Sequence, residues 1–301
     1  KFKALKIALI TTKMKYNSLL ILSILLAGTL STQSTEKQQS SNEHVSIKFA
    51  AYNVLFGLWG EPESIGEILK KHNLDIICFN EVPNGNWTKR VGRILKMEHI
   101  FVGEISSANH KNKYKSILSR FPLYNKGEIE INAKGWKPAS LVYASTKIKN
   151  INIKLYSTHI PGQQNPNDSA ASFIANNIIK TSDDDNLLIL GDLNNEPHKG
   201  ALKTLYTVNM ESIWNKIEID TSENSTHKHI ESGTESGIID HIFYKSRTHE
   251  IKVVNGGIIY NAFNKAEKDI SMPRYKKEWI KHGKPLSDHR PIWAELLFKK
   301  L

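Results

Sequence analysis

Cysteine is almost missing from this chain: Cys78 is the only one in 301 residues. No intramolecular disulfide can form, so the fold must rest on core burial, which a chain of this length can supply. Cys78 lies inside Leu74-Asp75-Ile76-Ile77-Cys78-Phe79, the setting of a packed strand residue rather than a reactive thiol. A membrane-spanning run is also lacking. The apolar stretch Leu19 to Ala27 is broken by Ser23 and is too short for a transmembrane helix, which needs ~20 apolar residues. Basic Met14-Lys15 precedes it, and the small residues Gly28, Thr29 and Ser31 follow. That order is the layout of a secretory signal peptide. Thr29 stands where a lipid-anchored precursor would carry cysteine, which disfavours a lipid anchor. Residues 1–31 are therefore expected to be an N-terminal extension and signal peptide, with Met14 as the start. The product is expected to be exported, to the periplasm or outside the cell, with no transmembrane anchor after cleavage.

Dense charge blocks and internal repeats are absent as well. The formal net charge is +11, of which Lys1, Lys3, Lys6, Lys13 and Lys15 lie in the segment expected to be lost, leaving about +6. A modest positive balance helps approach to polyanions, and it equally suits an ordinary lysine-rich solvated surface. Residues 32–44 are a polar tether with too few apolar groups to fold. From 45 to 301 strand-like and helix-like runs alternate, as expected of one catalytic-size domain. Ile47 to Val54, Leu74 to Phe79, Lys115 to Ser119, Gly127 to Ile131, Ala139 to Ser145, Ile151 to Thr158, Leu187 to Leu190, Ile238 to Tyr244, Glu250 to Val254 and Pro291 to Phe298 read as strands. Ser64 to His72, Asp168 to Ile179 and Pro197 to Tyr206 read as helices, with apolar residues on one face. Two sheets packed face to face with helices outside would account for this mixture. Thr221 to Ser236 and Asn261 to Lys284 are polar or basic and are expected to be surface loops.

What is present is a series of acidic, amide and imidazole residues, each in a short turn after an apolar run. In order they are Asn53 (Ala51-Tyr52-Asn53-Val54), Glu81 (Asn80-Glu81-Val82), His159 (Thr158-His159), Asp192 and Asn194 (Gly191-Asp192-Leu193-Asn194), Asp240 (Ile239-Asp240-His241), and Asp288 with His289 in Ser287-Asp288-His289-Arg290-Pro291-Ile292. Strands ending in such groups could gather them at one end of a sheet. Oxygen ligands for a hard divalent cation beside two histidines are what phosphate-ester hydrolysis needs. Glu81, a carboxylate at the end of an apolar strand, is the best candidate for a direct Mg²⁺ or Mn²⁺ ligand, with Asn53 beside it. Mg²⁺ takes one or two protein carboxylates and keeps several waters, so a sparse ligand set is expected.

These motifs, in this order, resemble the endonuclease/exonuclease/phosphatase superfamily, which includes DNase I, apurinic endonucleases, inositol polyphosphate 5-phosphatases and bacterial sphingomyelinases. The likeness runs from about residue 47 to residue 298. It implies an α+β fold, a four-layer αββα sandwich built from two similar halves. It also implies that Asp192 and Asn194 orient the nucleophilic water and hold the scissile phosphate, and that Asp240 pairs with His289. Asp288 would be a further acidic group near the metal, and His159 would donate to the phosphate or the leaving group. Whether His289 or Asp192 is the general base stays open at this point.

Departures from particular branches narrow the substrate. Leu55 follows Asn53 where apurinic endonucleases carry Asn-x-Asp, and His159 replaces their tyrosine. Ile239-Asp240-His241 replaces the Cys-Asp-Arg of the inositol polyphosphate 5-phosphatases. The expected activity is phosphodiester hydrolysis by in-line water attack, as a nuclease or phosphodiesterase, with nucleic acid or a soluble phosphodiester as the favoured substrate. A sphingomyelinase-like lipid phosphodiesterase or a small-molecule phosphatase is the alternative, and a catalytically dead binding module a remote one. Trp59, Trp87 and Trp136 follow strand ends or lie in turns rich in Gly and Asn, where they could stack on a base or dip into a lipid interface. Packing between layers is the competing explanation for all three. His227 and His229 are spaced like metal ligands on a strand, but no carboxylate partner is evident and they are read as solvated. Arg120 is read as structural, and His241 has no assigned role. No obligate protein partner is evident, and a monomer is expected.

Overall fold

The structure, a computed structural model, describes residues 44–220, 224–229, 235–260 and 285–301. The expected signal peptide and tether, and the basic segment from Asn261 to Lys284, lie outside the described residues. The elements in chain order are strand β1 (Val45–Asn53), helix α1 (Pro62–Lys70), β2 (Ile76–Val82), α2 (Gly85–Leu95), β3 (His99–Val102), β4 (Tyr114–Ser119), β5 (Tyr124–Glu130), β6 (Ser140–Ile148) and β7 (Ile151–His159). They continue with α3 (Gln164–Phe173), β8 (Asn186–Asp192), α4 (Lys203–Thr207), β9 (Glu211–Ser212), β10 (Asp240–Ser246), β11 (His249–Ile258) and β12 (Ile292–Lys300). The last turns of α3 widen into a π-helical stretch, Ile174–Ile179.

The strands form two six-stranded sheets, ordered β11-β12-β1-β2-β4-β3 and β5-β6-β7-β8-β10-β9. Each sheet contains one parallel pair, β1 with β2 and β7 with β8, and is otherwise antiparallel. The alternation along β1 explains the layering. Ile47, Phe49 and Ala51 face the second sheet, in a core shared with Val142, Leu155, Leu188, Leu190, Ile242 and Phe298. Ala50 and Tyr52 point the other way, into a core roofed by Ile65 and Leu69 of α1 and Val91 and Leu95 of α2. A third core lies under α3 on the outer face of the second sheet, where Tyr156 and Ile189 meet Ala170, Ile174 and Ile178. Period-two strands with both faces apolar are what a sheet covered on both sides requires. The result is the expected α+β sandwich with helices on both outer faces.

One feature differs from the sequence reading, and Arg120 is structural as expected. Asn84-Gly85-Asn86 looks like a turn, but Asn84 caps a helix: its side chain accepts from the Trp87 backbone N–H at 3.0 Å. Helix α2 is the consequence. Arg120 donates to the carbonyls of Leu74 at 2.7 Å and Leu95 at 3.3 Å, which ties β2 and the end of α2 together.

Candidate active site

Strand direction gathers the polar residues. Asn53 closes β1, His159 closes β7 and Asp192 closes β8, with His159 and Asp192 in register across the parallel pair. β10 runs antiparallel to β8, so its first residue, Asp240, pairs with Asp192. Asp288 and His289 precede β12, whose first residue, Ile292, pairs with Ala51 of β1. Glu81 lies near the end of β2 at a bulge, where Asn80 pairs with Lys115 and Val82 with Tyr114. Its φ of 55° is left-handed, a conformation that costs a non-glycine residue about 1–2 kcal/mol. The bulge re-aims the carboxylate out of the ladder.

Asp192 is the hub of the cluster. Its Oδ2 accepts from Asn53 Nδ2 at 3.1 Å and lies 3.5 Å from both His159 Nε2 and His289 Nε2. Its Oδ1 accepts from the backbone N–H of Asn194 at 3.0 Å. The other face of His289 is fixed by Asp240, with Nδ1 and Oδ2 at 2.9 Å. Asn194 is brought to the same corner, but its amide donates to the carbonyl of Ile160 at 2.8 Å. Asp288 stands behind His289, its Oδ2 at 3.7 Å from His227 Nε2, while Ser287 Oγ donates to the carbonyl of Asn53 at 2.8 Å.

Burial sets the charges. The Asp192 carboxyl is pushed up to about 7, first by desolvation and then by the nearby Asp240, against the pull of His289. Burial alone would lower His289, but the Asp240 and Asp192 carboxylates outweigh it and raise the imidazole to about 10. His159 moves the opposite way: burial, then Lys113, Lys115 and His289, hold it neutral, well below its usual range. One imidazole of the cluster is thus charged and the other neutral.

Glu81 sits apart from this hub. Its Oε1 is 3.5 Å from His159 Nδ1, and its Oε2 is 2.9 Å from Lys113 Nζ. The Lys113 contact is an ion pair rather than an aligned hydrogen bond, since Glu81 Oε2 has no hydrogen-bond partner. His159 Nδ1 and Asp240 Oδ1 are likewise buried without one. Buried polar atoms of this kind are uncommon, and a water or an ion is one way of satisfying them. A buried carboxylate oxygen aimed away from its own ladder, in the same half of the site as a neutral imidazole, is an oxygen ligand of the kind a hard divalent cation takes while keeping most of its own water.

Several contributors escaped the sequence reading. Asn80 stitches the sheets: its Oδ1 accepts from the Asp192 backbone N–H at 2.9 Å, and its Nδ2 donates to Ser157 Oγ at 3.3 Å. The adjoining Gly191, at φ +148°, allows this approach, because a Cβ there would overlap the Thr158 carbonyl. Only the neighbouring Asp192 and Glu81 hinted at either residue. Lys113 gave no signal, being one lysine among many. His227 is a correction: it is not a solvated loop residue but is packed on His289, ring centroids 4.5 Å apart. Nor is residues 224–229 a plain surface loop. Thr226 Oγ1 accepts from the N–H groups of Ile239 and Asp240, and Thr226 O accepts from Arg290 N. His229 is exposed, as expected.

The tryptophans divide. Trp87 is corrected to a packing residue: only 5% exposed, it meets Phe79 edge-on at 5.4 Å beneath α2, because the cap at Asn84 turns it inward. Trp59 is also buried, at 8%, so neither offers an open face for stacking. Trp136 is half-buried and lies edge-on to His159, centroids 5.9 Å apart. His241 is wholly buried, with Nε2 at 2.7 Å from the Asn195 carbonyl, and serves the backbone.

The sequence profile of the Endonuclease/Exonuclease/phosphatase family matches residues 50–289. The chain therefore belongs to that family, whose members are typically phosphoester hydrolases. No curated protein sequence matches the chain. Among solved structures it is similar to an endonuclease/exonuclease/phosphatase family protein from Bacteroides thetaiotaomicron, with 16% identity, a TM-score of 0.62, and coverage of 85% of this chain and 96% of that one. A mannosyl-6-phosphatase of Bacteroides thetaiotaomicron matches at 16% identity and a TM-score of 0.60, over 83% of this chain and 99% of that one. TDP2 of D. rerio, solved with a single-strand DNA product, matches at 13% identity and a TM-score of 0.59, over 83% and 98% of the two chains. At these identities the likeness concerns the fold. Among the described residues no helix is long and apolar enough to cross a membrane.

Proposed function

We propose that this protein is an exported, divalent-metal-dependent phosphodiesterase that cleaves its substrate by in-line attack of water, with nucleic acid as the leading substrate class. The observation that carries the reading is the Asp240–His289–Asp192 line, a 2.9 Å hydrogen bond on one side of an imidazole and a carboxylate 3.5 Å away on the other. Phosphodiester hydrolysis needs a base for the water, positive charge against the phosphate, and a donor for the leaving oxygen. Asp192, raised to about 7, is poised to take the proton of the attacking water. His289, kept as imidazolium by Asp240, faces the charge that develops on phosphorus. His159, neutral, donates a hydrogen bond towards the leaving oxygen. Glu81, Asn53 and Asp288 would hold Mg²⁺ or Mn²⁺, which supplies Lewis-acid polarisation of the phosphate when bound. Asn194 acts through its place beside Asp192, orienting the phosphate.

Two observations bear on substrate. Burial of Trp59 and Trp87 removes two of the three aromatic anchors that a lipid interface would need, which lowers the lipid reading. The likeness to a mannosyl-6-phosphatase keeps a monoesterase as the second reading. Export is proposed from the basic and apolar layout of residues 14–31. Hydrolysis of bis-(p-nitrophenyl) phosphate against p-nitrophenyl phosphate, with Mg²⁺ or Mn²⁺, separates the two readings. Metal-dependent diester cleavage lost in His289→Ala supports the proposal; cleavage of the monoester alone overturns it in favour of a phosphatase.

A further inference from the structure

We propose that His227, Asp288 and His289 form a second cation site, selective for a borderline ion such as Zn²⁺ over Mg²⁺. The spacing of His227 and His229 suits metal ligation, since alternate residues of an extended segment share a face. What the sequence withholds is a carboxylate, and the fold supplies it. His227 forms an isolated antiparallel bridge with His289, and the Lys228 N–H donates to the Asp288 carbonyl at 2.9 Å. That pairing lays the two segments side by side. One ligand atom from each of His227, Asp288 and His289 lies within 4.8 Å of the other two, and His227 Nε2 is 3.7 Å from Asp288 Oδ2.

Three details favour a site over a chance meeting of side chains. His227 Nδ1 lies 2.7 Å from Ser236 Oγ, the kind of outer hydrogen bond that fixes the ring of a metal-binding histidine and leaves the other nitrogen for the ion. All three groups are shielded, with Asp288 and His289 buried and the His227 side chain only 15% exposed. His229, exposed and edge-on to His227 with centroids 5.1 Å apart, is a further imidazole at the mouth. Zinc takes imidazole and carboxylate ligands at roughly 2.0–2.2 Å in a tetrahedron, so the donors must draw in by about 1 Å. Two imidazoles and one carboxylate match zinc and nickel, whereas Mg²⁺ prefers an all-oxygen set. The Glu81 carboxylate belongs to neither His289-centred cluster, whereas Asp288 would serve both cations, so the two sites would adjoin and compete for that one carboxylate.

Filling the second site captures His289 and releases its proton to solvent, since only the neutral imidazole can ligate an ion. Given the role proposed above for that residue, zinc would then inhibit the enzyme; the binding itself does not depend on that role. The test uses the full chain stripped of metal, titrated with Zn²⁺ in the presence of a competing chromophoric chelator. Wild type should bind zinc, Glu81→Gln should bind it equally, and His227→Ala should bind it at least about tenfold more weakly, with melting temperatures confirming the folds. Should His227→Ala fold poorly, His227→Gln carries the comparison, and Co²⁺ absorption reports the nitrogen ligands directly. Unchanged affinity in the His227 variants, or loss of binding in Glu81→Gln, overturns the site. Zinc held through His227 without inhibition of Mg²⁺-supported diester cleavage would leave the site standing and overturn the role given to His289.

Discussion

Lys115 and Glu81 lie on neighbouring strands, both almost out of solvent, and their surroundings are opposite in kind. The Lys115 ammonium donates to Ser140 Oγ at 2.6 Å and Ser107 Oγ at 3.1 Å. Ser140 passes the charge on to Glu128 Oε1 at 2.5 Å, and Glu128 Oε2 accepts the N–H groups of Glu104 at 2.6 Å and Ile105 at 3.0 Å. This network closes on itself. Across the site of Glu81 the bonding is incomplete: one oxygen of Glu81, ion-paired with Lys113, one nitrogen of His159 and one oxygen of Asp240 have no hydrogen-bond partner. An unmade bond on a buried polar atom costs about 1–3 kcal/mol, so a chain tolerates several together only where something else completes them. The closed network holds the strands; the open one is where the proposed cation would find its ligands.

The sharpest way to break that comparison is at the open end. Asp192→Asn should lower turnover by about 10³-fold, with the variant remaining folded, because the carboxamide keeps the shape and one of the two bonds accepted from Asn53 and Asn194 but cannot take a proton. The same assignment fixes the pH profile. A base raised to about 7 must be ionised, so kcat/KM should climb with pH up to about that value. An imidazolium held to about 10 must stay charged, so activity should fall as pH passes it. If the residual activity of Asp192→Asn keeps the acid limb, the base is another group. Removal of metal with a chelator should abolish wild-type activity, and Glu81→Gln should need far more Mg²⁺ to regain it; full activity of Glu81→Gln at the wild-type Mg²⁺ level would place the cation elsewhere.

At the closed end the effect should fall on stability instead. Burial lowers Lys115 to about 8, against the opposing pull of Glu128 and Glu81. The folded state thus gives up this proton before the unfolded chain does. Where the unfolded chain binds more protons, stability rises with pH. Lys115 should therefore add stability between about pH 8 and 10.5, up to about 3 kcal/mol. Denaturant unfolding of wild type and Lys115→Met at pH 7.5 and 9.5 reads this as a difference of differences. A pH dependence identical in the two proteins would mean that the network is not closed around a strained charge.

The contrast also explains what could be read without a structure. Asn53, Asp192 and Asp240 each sit at the end of an apolar run, and strand direction alone brings such ends together. Local chemistry was therefore enough for them. Lys113, Asn80 and His227 reach the same place through register and chain crossing: Lys113 lies 32 residues from Glu81, Asn80 112 from Asp192 and His227 62 from His289, and these pairings appear only in three dimensions. The same limit hid helix α2, because Asn84-Gly85 reads as a turn until the Trp87 N–H is seen to need an acceptor. Glu81 was legible as a residue but not as a left-handed bulge, since its conformation answers to the β4 ladder rather than to its neighbours in sequence.

The smallest expected effect is also the one that speaks to substrate. Trp87 and Trp136 looked alike in sequence, yet one is on the buried face of helix α2 and the other stands half-buried beside His159. If Trp136 stacks on a base, Trp136→Ala should raise KM for single-stranded DNA about fivefold, the lower end of what one base–aromatic contact contributes. KM for bis-(p-nitrophenyl) phosphate should then change far less, and kcat should hold for both. If Trp136 instead only props the His159 ring, kcat should fall for both substrates and KM for neither. Trp136→Phe sharpens the choice, because a smaller ring still stacks but leaves the edge contact with His159 short. Loss on DNA alone assigns the rim of this site to a nucleic acid; equal loss on both returns Trp136 to the core that holds His159 in place.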